Sequence, residues 1–131
     1  MDLFLKPRIL LVEDNYQTQR LVQHWLRDIT VLDTVSRPED ALRQAGTQPY
    51  DLLLVDINLG QRDCGINLLA DLRKMPGYAE VPAVAFTAYA MPDDRERLLN
   101  CGFNFYLSKP FMKQELLETI RNALCMSREP G

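Results

Sequence analysis

The sequence predicts an α/β domain, a parallel sheet wound with helices on both faces, and three observations carry that expectation. Short apolar runs alternate with segments of helical period five times over, and the connections between them are short. The clearest run, Leu52 to Val55, is continuously apolar, as suits a strand covered on both faces. Strands joined through helices lie parallel and cross over right-handed.

The elements follow in order. "RILLVED" reads as a first strand, and "NYQTQRLVQHWLRD" as a helix with Leu21, Val22, Trp25 and Leu26 on one face. "TVLDTVS" is a weaker second strand. Ser36 is expected to cap the next helix, with Pro38 just inside its start and "EDALRQA" continuing it. "YDLLLVDI" is the third strand and ends at Asp56. A polar, glycine-bearing loop, "GQRDCG", leads to "INLLADLRKM", whose helical spacing is stopped by Pro76 and Gly77. "VPAVAFTA" is the fourth strand, and "PDDRERLLNCG" a helix closed by Gly102, with Asp93 to Arg97 as its solvated face. "FNFYLS" is the fifth strand, and "KQELLETIRNALC" the final amphipathic helix.

Composition narrows the function. With 131 residues, 47% hydrophobic and 25% charged, the chain suits one domain with a continuous core. A formal net charge of -3, without clustered Lys and Arg, argues against a nucleic-acid surface. Cys64, Cys101 and Cys125 are odd in number and widely spaced, and His24 is the single histidine, so neither a disulfide framework nor a zinc site is expected. Cys101 and Cys125 read instead as small buried hydrophobes. No signal peptide or membrane-length apolar run is evident, and a reducing cytoplasm is the default expectation.

In an open parallel α/β sheet, ligands bind outside the carboxyl ends of the strands. The first strand ends in Glu13 and Asp14, the third in Asp56, the fourth in Thr87, and the fifth in Ser108 and Lys109 ahead of Pro110. Three carboxylates, a hydroxyl and an ammonium on one edge suit phosphoryl chemistry. Hard oxygens hold Mg²⁺, a lysine and a hydroxyl bind phosphate oxygens, and a carboxylate can itself be the nucleophile.

"VEDN", "LLLVDINL", "AFTAYA" and "YLSKPF", in this order and spacing, resemble the receiver domain of two-component response regulators, in the style of single-domain or hybrid-kinase receivers. The likeness covers roughly residues 8 to 125 and implies a flavodoxin-like (βα)5 fold with strand order 2-1-3-4-5. It implies that Asp56 accepts a phosphoryl group, and that Glu13, Asp14, Asp56 and the backbone carbonyl of Asn58 hold Mg²⁺. Thr87 and Lys109 match the groups that bind phosphoryl oxygens, and Thr87 and Tyr106 the switch pair. Lys109 to Pro110 matches a bond that is typically cis in the family. Asn58 and Tyr89 match the positions that tune phosphate lifetime, where a bulky Tyr89 is expected to shield the phosphoryl group from water.

The implied function is a switch phosphorylated by a sensor histidine kinase or a histidine phosphotransfer protein. Such a domain catalyses only its own phosphorylation and dephosphorylation, and passes the signal by protein contact or onward relay. Residues 1 to 131 are expected to form one receiver with no output domain, either standing alone or cut from a longer hybrid kinase. A homodimer through the fourth helix, fifth strand and fifth helix is left open, because Leu98, Leu99, Leu116, Leu117 and Ile120 serve either a core or a contact.

The chain departs from the family where Gly60 takes the usual proline position and one extra residue precedes Gly65, which puts the loop path around Asn58 in question. Taken singly, the site residues have plainer readings, as solvated strand ends for Glu13 and Asp14 and a helix cap for Asp56. A receiver fold kept as a phosphorylation-independent binding module is one alternative. An aspartyl-phosphate hydrolase of the haloacid dehalogenase kind would need an aspartate where Asn58 stands, and a flavodoxin-like nucleotide carrier would need a phosphate loop where "VEDNYQ" stands.

Overall fold

The computed structural model describes residues 6–60, 64–88 and 92–128. Strands β1 (Arg8–Val12), β2 (Val31–Val35), β3 (Leu52–Asp56), β4 (Ala83–Thr87) and β5 (Phe105–Ser108) alternate with helices α1 (Tyr16–Leu26), α2 (Pro38–Thr47), α3 (Cys64–Arg73), α4 (Pro92–Asn100) and α5 (Lys113–Arg128). All four strand pairings are parallel and the order is β2-β1-β3-β4-β5, as the resemblance implied. The order reverses between β1 and β3, which places a crevice beyond the ends of those two strands.

The central strands are buried on both faces because alternate side chains serve two different cores. Leu10, Val12, Leu53, Val55, Ala83 and Ala85 point to one core with Ala41 and Ala45 of α2, Leu68, Leu69 and Leu72 of α3, Leu98 of α4, and Phe103. Ile9, Leu11, Leu52, Leu54, Val84 and Phe86 point to the other, with Val22 and Leu26 of α1 and Leu116, Ile120 and Ala123 of α5. On that side Phe111 stacks 4.7 Å from Phe86 and 6.3 Å from Trp25, ring centroid to centroid. A one-residue slip would turn every strand's side chains over, so burial on both faces pins the register.

Several local expectations are corrected. Leu21 lies outside the buried stripe of α1 and is exposed, because the stripe runs through Val22 and Leu26 at a four-residue spacing. Arg37, not Ser36, stands at the N-cap of α2 and makes no side-chain cap bond. Pro38 begins that helix without an amide N–H, which removes one of the donors a cap would satisfy. Cys101 and Cys125 are exposed, one just past α4 and the other on the outer side of α5. Helix α3 begins at Cys64, ahead of the expected Ile66. Leu98, Leu116 and Ile120 are buried in the core and Leu117 packs against it, whereas Leu99 is exposed. Among the described residues, no helix is long and apolar enough to cross a membrane.

The edge of the sheet opposite the crevice is tied by two polar assemblies. The Tyr50 hydroxyl donates to Asp33 Oδ2 at 2.6 Å, Gln48 Nε2 donates to the same oxygen at 2.9 Å, and Arg8 pairs with Asp33 at 3.9 Å. Burial first, then the bond to Asp33, raises the Tyr50 hydroxyl well above the ordinary tyrosine range. Arg73, at the last turn of α3, donates to the carbonyl oxygens of Tyr78 (3.0 Å), Gly102 (2.8 Å) and Val81. One guanidinium thereby joins the turns that precede β4 and β5.

Arg73→Met should leave these half-buried carbonyls unpaired and cost about 2–3 kcal/mol of stability in urea unfolding. A loss below about 0.5 kcal/mol, the usual size for surface substitutions, would show that water replaces the guanidinium without penalty.

Candidate functional site

Strand ends deliver the polar residues to the crevice. Glu13 and Asp14 follow β1 directly, Asp56 and Thr87 are the last residues of β3 and β4, and Lys109 follows β5. The ladder continues just past the strands, with the Glu13 amide donating to the Val35 carbonyl at 3.0 Å and the Lys109 amide to the Thr87 carbonyl at 2.7 Å. Backbone pairing therefore sets where these side chains begin.

Glu13 is fully buried, Asp56 and Thr87 are buried, and Asp14 is exposed. Glu13, Asp14 and Asp56 each offer a carboxylate oxygen, and the three oxygens lie within 4.8 Å of one another. Lys109 Nζ stands 2.7 Å from Glu13 Oε1 and 3.3 Å from Asp56 Oδ2, one ammonium between two buried carboxylates. Backbone amides take the other oxygens. Asn15 N donates to Glu13 Oε2 at 3.1 Å, and Asn58 N donates to Asp56 Oδ1 at 3.0 Å. Asn15 also caps α1, its side chain accepting from the Thr18 amide at 2.9 Å, so the positive end of that helix adjoins the acidic turn.

Crowding shifts the ionisation of these groups. Burial, followed by the hydrogen bond it shares with Asp56, pushes the Glu13 carboxyl up to about 7, against the pull of Lys109 and the Asn15 amide. Burial alone would lower the Lys109 ammonium, but Glu13 and Asp56 outweigh it and hold the group above its ordinary value. The site carries more negative charge than one lysine balances, and its donor atoms are hard oxygens open to solvent through Asp14. A divalent cation of the magnesium type fits that donor set.

Part of the loop beyond Asp56 lies within the described residues, and its backbone path there is defined as far as Gly60. Gly60 has φ +80°, a conformation that favours glycine, and its amide donates to the Asn58 carbonyl at 3.0 Å. A Cβ on Gly60 would lie 4.0 Å from Asp14 Oδ2, so the loop passes over the acidic turn. Gly65 is required for a different reason. A Cβ there would lie 2.1 Å from the Asp56 carbonyl oxygen, and the Gly65 amide donates to the Ile57 carbonyl at 2.8 Å. Only glycine lets α3 start against the end of β3. Gly65, expected in the loop, stands in the first turn of α3.

The remaining expected residues fall as follows. Tyr106 is half-buried on β5 and packs against the core shared with α3 and α4. The peptide between Lys109 and Pro110 is cis. Tyr89 lies outside the described residues. His24 is exposed on α1, away from the carboxylates in the chain. Sequence reasoning misses Asn15, because its backbone amide, which residue type does not advertise, is what reaches Glu13.

Comparisons with known proteins agree with this geometry. A family model described as the response regulator receiver domain matches residues 9–121. The chain is 33% identical to an uncharacterized 14.6 kDa protein of Leptolyngbya boryana, covering 93% of this chain and 92% of that one. It is 40% identical to the transcriptional regulatory protein HprR of Escherichia coli over 89% of this chain, but spans only 51% of that relative's length. Among solved structures it resembles the receiver domain of the sensor histidine kinase PA1611 of Pseudomonas aeruginosa, described with a magnesium ion coordinated in the active site cleft. That likeness has a TM-score of 0.81 and 35% identity, covering 92% of this chain and 98% of the other.

The Glu13 shift gives a pH signature in metal-free buffer. Native Glu13 keeps its proton to about pH 7, whereas the unfolded residue loses it near 4.5, so the native state binds more protons between these values. This contribution to stability is present below about pH 4.5 and lost as pH rises through 7. Relative to Glu13→Gln, the native chain should lose stability across that window in urea unfolding with chelator. Parallel pH profiles would contradict the shift.

Proposed function

The chain belongs to the response regulator receiver family, and from that premise we propose that Asp56 accepts a phosphoryl group from a phosphohistidine on a sensor histidine kinase or histidine phosphotransfer protein. The observation that carries this is the pairing of a buried Asp56 with Lys109 inside a three-carboxylate cluster at the sheet's carboxyl edge. Mg²⁺, held by Glu13, Asp14, Asp56 and the Asn58 carbonyl, would neutralise part of the carboxylate charge and bind phosphate oxygens.

The chain's own residues do the rest. One Asp56 oxygen attacks phosphorus, a P–O bond forms as the P–N bond breaks, and the imidazole nitrogen leaves with the electron pair. The Asn58 amide holds Oδ1 of Asp56 at 3.0 Å, which orients the carboxylate for that attack. Lys109, placed between two carboxylates, pairs with a phosphoryl oxygen as the charge arrives. The Thr87 hydroxyl donates to another, and drawing Thr87 inward leaves room for Tyr106 to turn further into the core. The surface of α4, β5 and α5 changes with it and is read by a downstream protein. Asn58 and Tyr89 set how long the phosphoryl group survives.

The phosphorylation-independent module is the weaker reading, since a buried carboxylate cluster that served no cation or phosphate would be a standing cost to the fold. Intact-mass spectrometry after incubation with Mg²⁺ and a small acyl phosphate should show one phosphoryl group on the native chain and none on Asp56→Asn. Full incorporation by the variant would contradict Asp56 as the acceptor.

A further inference from the structure

Gln19 reaches from α1 to the backbone of the acidic turn. Its Nε2 donates to the carbonyl oxygen of Glu13 and, at 3.0 Å, to Ser36 Oγ. The amide of Glu13 meanwhile donates to the Val35 carbonyl at 3.0 Å, so both main-chain polar groups of Glu13 are held. The Glu13 carbonyl and the Asp14 amide belong to one planar peptide unit, and fixing the oxygen fixes the direction in which the chain enters Asp14. This matters because the two carboxylates are immobilised differently. Glu13 is fully buried and packing holds it, whereas Asp14 is exposed and depends on its backbone for position.

We propose that Gln19 is a positioning residue for divalent-cation binding, acting through the Glu13–Asp14 peptide to hold the Asp14 carboxylate beside Glu13 and Asp56. The proposal rests on the reading of this acidic cluster as a cation site. Gln23, one turn along α1, supplies an internal control. It is the same residue type and makes the same kind of bridge, donating from Nε2 to Thr34 Oγ1 of β2 at 3.2 Å, but it does not touch the acidic turn. Loss of a glutamine tether from α1 to a hydroxyl is common to both positions, Thr34 of β2 for Gln23 and Ser36 just past β2 for Gln19. Only loss at Gln19 frees the peptide that leads into Asp14.

The test is an NMR titration of the full chain with magnesium chloride, following backbone amides, for the native protein, Gln19→Ala and Gln23→Ala, with thermal unfolding of each in chelator. Gln19→Ala should weaken Mg²⁺ binding about tenfold, the lower end of what outer-sphere ligand supports are worth. Gln23→Ala should stay within about twofold of native although it loses a comparable tether. Gln19→Met, which keeps the length and lacks the donor, should bind as weakly as Gln19→Ala, and it serves alone if the alanine variant fails to fold. Native affinity in the Gln19 variants would overturn the proposal, as would equal weakening by Gln23→Ala. Absence of Mg²⁺ binding by the native chain would overturn the cation reading and the proposal together.

Discussion

The architecture turns on one electrostatic constraint, the confinement of Glu13, Asp14 and Asp56 around the single ammonium of Lys109 at the carboxyl edge of the sheet. Two of these carboxylates are buried, and buried charge is tolerated only where it is paired or hydrogen-bonded. Lys109 and the amides of Asn15 and Asn58 supply those partners, but one positive charge against three negative ones leaves a surplus. Burial and the hydrogen bond with Asp56 push the Glu13 carboxyl up to about 7, the direction that this surplus favours. A divalent cation held by the same carboxylates would relieve that surplus too.

Holding like charges together requires rigid supports, and the fold provides them at both edges of the sheet. Strand register brings β1, β3, β4 and β5 to a common end, and the two apolar cores prevent slippage. Gly65 lets α3 begin against the end of β3, so the strand that carries Asp56 is buttressed where charge repulsion would otherwise push it out. At the far edge, Arg73 and the Tyr50, Asp33 and Gln48 network add polar ties to turns whose Tyr50 and Tyr78 are also buried in the core. Rigid packing at one edge and a charge-strained crevice at the other is an arrangement in which a small chemical change can be transmitted. Tyr106 sits between them, half-buried against the core rather than locked within it.

Much of this was legible in the sequence, and for physical reasons. Leu52 to Val55 announced a doubly covered strand, and five repeats of strand and helix left little choice but a parallel sheet. The ligand-binding edge followed from topology alone, which is why Glu13, Asp14, Asp56, Thr87 and Lys109 were found together. What stayed hidden depended on backbone groups or on one-residue distinctions. Residue type does not reveal that Gln19 addresses a carbonyl or that Arg73 joins turns distant in sequence. Leu21 and Cys125 stand one or two steps off the buried positions of their helices, and Cys101 lies in the turn past α4, so apolar character alone does not put them in the core. Ser36 has the residue type of a cap but stands one position before the N-cap, and its hydroxyl accepts a bond from Gln19 instead.

The central claim is that the acidic cluster and Lys109 form one site in which cation and phosphoryl group bind together. Fluorine NMR of beryllium fluoride, a stable mimic of the phosphoryl group, tests it most directly when recorded on the native chain with and without Mg²⁺. A protein-bound fluoride signal that appears only when Mg²⁺ is present, and that Lys109→Met abolishes, is the expected result. A bound signal independent of the cation, or none at any Mg²⁺ concentration in folded protein, would contradict the account.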